Sequence, residues 1–264
     1  MSPTTGRGVL HLVPNTLDVL APGPPPALEA VLPLGVIRVA ARLEHWLAEN
    51  AKTTRAFLKR VDAVVPLARA IQAIAIVELP RVQKGSGGHS ASLDATALLE
   101  PALQGHDMGL ISEAGLPAVA DPGAGVIAAA HALGLTVVAL PGPSAILLAL
   151  AASGLGGQSF AFVGYLPTDE AARAARIREL EAGSRRQDQT QLMIETPYRN
   201  AVLLAALTRH LSAETRLAVS CGLTLPGGWN RSDRVAAWRS RPSQLPNDVP
   251  AVFSLHAAPA ARAR

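Results

Sequence analysis

The sequence predicts an α/β protein of two α/β domains, the first with a largely parallel sheet and the second with a mixed sheet. Short apolar runs of strand length alternate with helix-length segments, and each run stops at Gly, Pro or small polar residues. In the second half, a Gly227-Gly228 turn interrupts this alternation and indicates an antiparallel return. The 264 residues, 49% of them hydrophobic and only 17% charged, are enough to fill two cores.

The first domain is predicted over residues 1–141, as a β-α repeat that covers a parallel sheet with helices. A glycine follows two of its helices, at Gly105 and Gly134, where a C-terminal glycine is expected, and Ser92 precedes one helix as a cap. The predicted elements, in order, are strand Val9–Val13, a Pro-rich loop Ala21–Pro26, helix Gly35–Leu43, strand Trp46–Ala48, helix Ala51–Val61, strand Ile74–Glu78, a Gly-rich loop Lys84–Ser90, helix Leu93–Leu103, strand Gly109–Ser112, helix Ala124–Leu133 and strand Thr136–Leu140.

The second domain is predicted over residues 142–264. Its first helix is closed by Gly154 and its second is capped by Thr168. The predicted elements are helix Ala145–Ser153, strand Phe160–Tyr165, helix Asp169–Glu181, strand Leu192–Glu195, helix Tyr198–Leu211, strand Leu217–Leu223, a return strand Trp229–Ser232 and a last strand Ala251–His256.

The composition limits the compartment and the class of partner. The N-terminus shows no signal-peptide pattern, the apolar region 123–155 is interrupted by Gly, Pro and His, and Cys221 is the only cysteine. We therefore expect a cytoplasmic protein that does not associate with a membrane. The formal net charge of +4 mildly favours a polyanion such as RNA, although an ordinary solvated surface explains it equally well.

Three common enzyme classes are not supported. The Gly6-Arg-Gly8 segment precedes its strand and lacks the third glycine of a dinucleotide-binding turn. The chain has no Gly-x-Ser-x-Gly nucleophile elbow. Its seven histidines include no closely spaced pair of the metal-ligand type, so we predict no metal site.

Two turns of small residues follow neighbouring strands and are the best candidates for a ligand site. Small residues allow backbone N–H and C=O groups to approach a ligand, and carboxylates in such a turn can balance a positive charge. The alternative interpretation is a pair of tight βα turns without a ligand. The candidate residues are Ser112, Glu113, Ala114, Gly115, Pro117 and Asp121 in the first turn, and Pro141, Gly142 and Ser144 in the second.

These turns and several other segments resemble the tetrapyrrole methylase superfamily of S-adenosylmethionine (SAM) methyltransferases. The likeness is greatest to the branch that methylates a cytidine ribose 2′-hydroxyl in ribosomal RNA. Departures occur at Val13–Leu17 and at Leu225-Pro226, and Asn50, Ala51 and Lys52 replace the residues usual in that branch. The further segments that carry the resemblance are Glu49–Leu58, Phe162–Pro167, Ile194–Arg199 and Leu223-Thr224.

The resemblance implies a cofactor cleft between the two domains, SAM as cofactor, RNA as substrate and a homodimer. It implies that the two turns bind the cofactor together with Ile194 and Glu195. A ribose hydroxyl needs a base, or a cation near the developing alkoxide, so Glu49 and Lys52 are the first catalytic candidates, with Glu78 behind them. Their structural alternatives are a cap on the helix that begins at Ala51 and a solvated residue of its first turn.

A basic stripe on the helix that follows Glu49 favours RNA. Lys52, Arg55 and Lys59 are spaced three and four residues apart, and Arg173 with Arg176 forms a second, shorter stripe. Two other functions remain open. One is a methyltransferase that acts on a tetrapyrrole or another small molecule, and the other is a SAM-binding protein without turnover.

Overall fold

The computed structural model describes residues 6–18, 23–80 and 95–258. These residues divide into two compact units: residues up to 143, apart from 23–25, form the first, and residues 23–25 with 144–258 form the second. Each unit contains one five-stranded sheet. The predicted fold class, with a parallel first sheet and a mixed second sheet, is confirmed.

Every strand of the first sheet runs in the same direction, in the order β3-β2-β4-β1-β5. The carboxyl ends of all five strands therefore lie at one edge of this sheet. Strands β4 and β1 are neighbours inside the sheet; β2 and β3 lie beyond β4, and β5 lies beyond β1. Open α/β sheets bind ligands at the carboxyl ends of two such strands, where the chain changes from one side of the sheet to the other. The strands are β1 (Val9–Leu12), β2 (His45–Ala48), β3 (Ala75–Glu78), β4 (Met108–Ile111) and β5 (Thr136–Ala139).

Helices cover both faces of the first sheet. Alternate residues of β2 point to opposite faces, so Trp46 packs in one core with Phe57 and Leu47 packs in the other with Val126. Both faces are thus buried, as a parallel sheet requires. The helices are α1 (Leu34–Arg42) and α2 (Ala51–Asp62) on the first face, and α3 (Ala95–Leu98), α4 (Glu100–Leu103) and α5 (Ala124–Ala132) on the second.

The prediction of one helix over Leu93–Leu103 is wrong, because the structure has two short helices, α3 and α4, with Leu99 between them. Pro101 explains the break. It has no N–H to donate, and its ring would clash with the carbonyl group four residues earlier in a continuous helix. The predicted cap Ser92, the loop Lys84–Ser90 and part of the loop Ala21–Pro26 lie outside the described residues.

The second sheet is mixed, in the order β6-β7-β10-β8-β9. Strands β6 and β7 are parallel, β10 is antiparallel to its neighbours β7 and β8, and β8 pairs with β9 as a hairpin. As a result β6, β7 and β8 all end at the same edge. The strands are β6 (Phe160–Tyr165), β7 (Thr190–Ile194), β8 (Arg216–Cys221), β9 (Trp229–Arg234) and β10 (Ala251–His256).

Four helices pack on the second sheet. One covers the face that carries Leu192 and Val252, and the other three cover the face that carries Met193 and Phe253. The cap of α7 is Asp169 and not Thr168, since the Asp169 carboxylate accepts a hydrogen bond from Ala172 N at 2.8 Å. The helices are α6 (Ala145–Ser153) on the first face, and α7 (Glu170–Gln187), α8 (Asn200–His210) and α9 (Val235–Ser240) on the second; sequence analysis missed α9. Within the described ranges, none of the helices is long and apolar enough to cross a membrane.

A buried carboxylate fastens α7 to the connection between α8 and β8. Glu181 is 7% exposed and accepts hydrogen bonds from Ser212 N at 2.8 Å, from Ser212 Oγ at 3.1 Å and from Thr215 Oγ1. A carboxylate that accepts several hydrogen bonds can remain charged inside a protein. Its loss would leave the buried Thr215 hydroxyl without this acceptor, whereas the donors of the exposed Ser212 could bind water instead.

We expect Glu181→Ala to lower the free energy of unfolding by about 1–3 kcal/mol, because the buried Thr215 hydroxyl loses its acceptor and the link between α7 and the connection before β8 is lost. Urea unfolding followed by circular dichroism measures the change. The matched control is Glu179→Ala on the same helix, whose side chain is 68% exposed and, among the described residues, pairs with Arg176. The control should cost less than about 0.5 kcal/mol. Equal effects of the two substitutions would contradict a structural role for the Glu181 network.

Candidate active site

The buried side chain of Asn15 joins the loops that follow the two central strands of the first sheet. Its backbone and that of Gly115 form a two-way bridge, with N···O distances of 2.9 and 3.2 Å. Its Nδ2 also donates to the carbonyl oxygens of Ser112 at 3.2 Å and Glu113 at 3.0 Å. Sequence analysis treated the Val13–Leu17 segment only as a departure from the family pattern and missed Asn15. The sequence signal that could have identified Asn15 is a polar residue two positions after the predicted strand Val9–Val13.

Glu49 contacts this same turn from the neighbouring strand. Its Oε2 accepts a hydrogen bond from Glu113 N at 3.0 Å. Glu49 does not cap α2, because Asn50 Oδ1 accepts from the backbone of that helix at Lys52 N and Thr53 N. The carboxylate of Glu78 accepts from Ala51 N at 2.7 Å, so it too serves the start of α2. The start of α2 is therefore capped by Asn50 and Glu78, and not by Glu49. Glu49 instead contacts the turn after β4.

Three carboxyl groups lie close together at this edge. Burial, together with the nearby charges of Glu49 and Glu113, raises the pKa of Asp121 to about 7. The Ser112 hydroxyl makes no hydrogen bond of ordinary geometry with a described residue, but it lies near the Asp121 carboxyl group and acts to lower that pKa. We call Glu49, Glu113 and Asp121 the acidic cluster. It is a concentration of negative charge that would favour a bound cation.

The backbone between the acidic residues is strained. Ala118 and Ala120 have φ angles of 64° and 67°, in the left-handed region that residues with a Cβ atom seldom adopt. Such conformations persist only when the surrounding structure enforces them, and they cluster at functional sites. The turn that carries Pro117 and Asp121 is thus held in a specific shape at a conformational cost.

The second turn of small residues packs against the loop that follows β1. A Cβ atom on Gly142 would lie 2.3 Å from the Pro14 ring, so only glycine permits this approach. Ser144 is 7% exposed and precedes α6, but its side chain does not cap that helix. Pro141 is exposed beside them. The small size of Gly142 is therefore required by the protein's own packing, whatever else the turn binds.

The predicted basic stripe lies on the exposed face of α2, which begins next to Glu49. Lys52, Arg55 and Lys59 are exposed, and none of them has an interaction with another described residue through its cationic group. The adjacent Arg60 differs, because its guanidinium binds the carboxylate of Asp18 at 3.2 Å and fastens the loop after β1. Within the part of the chain that the structure describes, the stripe is therefore a line of unpaired positive charge on the helix that begins next to Glu49.

Three family-like segments of the second unit meet at one edge of its sheet. They lie at the carboxyl ends of β6, β7 and β8 and include Tyr165, Glu195 and Thr224 respectively. The Glu195 carboxylate is used by its own turn, since it accepts from Thr196 N at 2.9 Å and pairs with Arg199 at 3.3 Å. Ile194 packs against the apolar cluster around α6.

The prediction that Arg173 and Arg176 form a basic stripe is wrong. Arg173 is 7% exposed, and its guanidinium donates to the carbonyl oxygens of Pro167 at 3.3 Å and Thr168 at 2.8 Å. Arg176 pairs with Glu179 at 2.7 Å. Helical spacing places the two residues near one another, but Arg173 folds back to hold the loop that precedes its helix.

Comparison with known proteins identifies the family. The sequence model of the tetrapyrrole (corrin/porphyrin) methylases matches residues 31–228, and the chain belongs to this family. The resemblance seen in the sequence is thus confirmed.

Curated relatives agree with this assignment, and a solved structure shares the fold. Two proteins named ribosomal RNA small subunit methyltransferase I are similar to the chain. The protein from Vibrio cholerae is 35% identical, and the matched region covers 52% of the chain and 46% of that protein. The protein from Mesorhizobium japonicum is 38% identical, and the matched region covers 52% of the chain and 45% of that protein. The chain thus spans about half the length of these relatives. A uroporphyrin-III C-methyltransferase from Thermus thermophilus shares the fold, with a TM-score of 0.50 and 21% sequence identity. The superposition covers 95% of this chain and 94% of that protein's chain.

The raised pKa of Asp121 predicts a pH-dependent stability difference between the protein and its Asp121→Asn variant. In the unfolded chain an aspartate ionises near pH 4, whereas in the folded protein Asp121 ionises only near pH 7. Between these values the folded state binds one more proton, so the parent loses stability as the pH rises from about 4 to about 7. We expect the variant to be more stable than the parent at about pH 8 and to lose this advantage towards about pH 4.

Urea unfolding of both proteins at several pH values measures this difference. The control is Glu29→Gln, which removes an exposed carboxylate and should leave the pH profile unchanged. If Asp121→Asn is no more stable than the parent at the higher pH, the carboxyl group of Asp121 is not held in its neutral form.

Proposed function

We propose that this protein is a SAM-dependent methyltransferase that acts on RNA, with the ribose 2′-hydroxyl of a ribosomal RNA cytidine as the expected acceptor. Membership of the tetrapyrrole methylase family supports methyl transfer. The names of its relatives support ribosomal RNA as the substrate. The observation that carries the proposal is the acidic cluster beside the uncompensated basic stripe of α2.

The turn after β4 has the features that a sulfonium cofactor needs. The acidic cluster would balance the positive charge of SAM, and burial of Asp121 strengthens that interaction. Backbone groups of Ser112, Ala114 and Pro117 would supply further polar contacts, in a turn that Asn15 fastens through its bonds to Ser112 and Gly115. The assignment of Pro141, Gly142, Ser144, Ile194 and Glu195 to the cofactor site stays a prediction, as does the cleft between the domains.

When bound, SAM supplies an electrophilic methyl group, so the protein has to orient the acceptor and receive its proton. Transfer of that methyl group to a ribose hydroxyl would release the hydroxyl proton, and a base of the protein would have to accept it. Glu49 is fixed by Glu113 N through one oxygen, and Asp121 exchanges a proton near neutral pH, so the acidic cluster includes two groups suited to this role. The Lys52 ammonium, at the start of α2, would stabilise the developing alkoxide.

One experiment tests the reaction and its substrate class. The purified protein is incubated with SAM labelled in the methyl group, together with either fractionated ribosomal RNA or a small-molecule extract. We expect label in the RNA. Label in the small-molecule fraction alone would indicate a tetrapyrrole or similar acceptor, and SAM binding without transfer to either fraction would indicate a binding protein.

The acidic cluster predicts a cofactor preference that calorimetry can measure. SAM carries a sulfonium charge that S-adenosylhomocysteine lacks. We expect Glu113→Gln to weaken SAM binding about tenfold, because one balancing charge is lost, and to change binding of S-adenosylhomocysteine much less. The isosteric control is Gln104→Glu, which adds a carboxylate on an exposed part of the same unit. Equal losses for the two ligands would show that Glu113 does not face the sulfonium.

The basic stripe predicts how RNA affinity depends on salt. Each phosphate contact releases about 0.9 counterions, so the double variant Arg55→Ala with Lys59→Ala should bind RNA more weakly and reduce the salt slope by about 2. The matched control is Arg38→Ala with Arg69→Ala, which removes the same charge from other exposed positions of the unit. SAM affinity should not change in either. If the stripe variant keeps the parent's salt slope, α2 does not contact the RNA backbone.

A further inference from the structure

The two halves of the chain differ in charge. Residues 1–143 contain ten Lys and Arg against eleven Asp and Glu, whereas residues 144–264 contain fourteen Arg, no Lys and nine Asp and Glu. The excess of positive charge thus belongs to the second half. Many of these arginines pair with carboxylates of the same unit, so what the second half offers a polyanion is a net positive charge and not a defined patch.

Both tyrosines of the chain lie at one edge of the second sheet. Tyr165 ends β6, and Tyr198 lies in the turn that follows the neighbouring parallel strand β7. Tyr165 is 56% exposed and Tyr198 is 71% exposed. Since the chain contains only nine aromatic residues of the Phe, Trp and Tyr types, the exposure of both tyrosines at the same edge calls for an explanation.

A β-bulge determines the direction of Tyr165. The register of β6 against β7 pairs Phe162 with Leu192 and then Tyr165 with Ile194, so β6 contains one extra residue between these pairs. Gly164 supplies the required backbone, with a φ of +71°. In a regular ladder Tyr165 would lie on the face of Val163, which α7, α8 and α9 cover. The bulge instead places it on the face of Ile194, which α6 covers.

Each tyrosine lies in a segment that an arginine holds in place. Arg173 donates to the carbonyl oxygens of Pro167 and Thr168, in the loop directly after Tyr165. Arg199 pairs with Glu195 across the turn that contains Tyr198. Both segments are therefore ordered before any ligand binds, which lowers the conformational entropy lost on binding.

We propose that Tyr165 and Tyr198 form a stacking surface for an unpaired base of the RNA substrate. An aromatic ring face stacks on any base, and the net positive charge of residues 144–264 favours the approach of the attached phosphates. This inference rests on the proposed function, because it assumes an RNA substrate. It adds a base-binding role for two residues that sequence analysis did not assign to the site.

Binding of a fluorescently labelled single-stranded oligocytidylate, followed by polarisation, tests this surface. We expect Tyr165→Leu and Tyr198→Leu each to weaken binding about tenfold, with no change in salt slope, since stacking releases no phosphate counterions. Tyr165→Phe and Tyr198→Phe keep the ring and should restore the parent's affinity. Binding of the same strand annealed to its complement should be unaffected, because its bases are already paired. The control Val202→Ala alters another exposed side chain of the unit.

Several outcomes would overturn the inference. If both Leu variants are folded by circular dichroism and bind the single strand as the parent does, the tyrosines do not stack on RNA. If they lose SAM affinity to the same extent, the rings bind the adenine of the cofactor instead. A parent that methylates RNA while both Leu variants bind it normally would leave the proposed function intact. A parent that neither binds nor methylates RNA would remove the proposed function itself, and the stacking surface with it.

Discussion

The candidate active site depends on the buried amide of Asn15, which ties the loop after β1 to the turn after β4. Its backbone pairs with Gly115 in both directions, and its side chain satisfies two carbonyl groups of that turn. Buried polar groups need such partners, so the two loops cannot separate without leaving several groups unpaired. Glu113 is thereby held where its N–H meets Glu49. The position of the acidic cluster follows from this one junction.

The same region concentrates features that oppose stability. Burial and neighbouring carboxylates make ionisation of Asp121 unfavourable, and Ala118 and Ala120 adopt left-handed backbone conformations. The packed cores on both faces of the first sheet offset these costs. A bound cation would relieve part of the charge repulsion, since it favours the ionised form of each carboxyl group. Strain and like charges at a sheet edge are therefore consistent with a site shaped for a cationic ligand.

The arginines of this chain have two different tasks. Arg60, Arg173 and Arg199 have their guanidinium groups in contact with carboxylates or carbonyl oxygens, and they fix loops at the two sheet edges. Arg55 and its lysine neighbours on α2 instead face solvent. Net charge alone does not distinguish the two groups. Only the second kind is available to phosphates, whereas the first kind orders the loops that present other side chains to a ligand.

The sequence alone determined the fold class, most strands and helices, and the segments that surround the candidate sites, because strand and helix periods and Gly or Pro boundaries are local properties. The family resemblance rested on the same segments. Tertiary structure decided which side chains those segments present. It made Glu78 a partner of the start of α2, folded Arg173 back onto the loop before its helix, and moved Tyr165 to the other face of its sheet through a bulge. These outcomes depend on how a side chain packs or on one extra residue in a strand register, and neither leaves a periodic signal in the sequence.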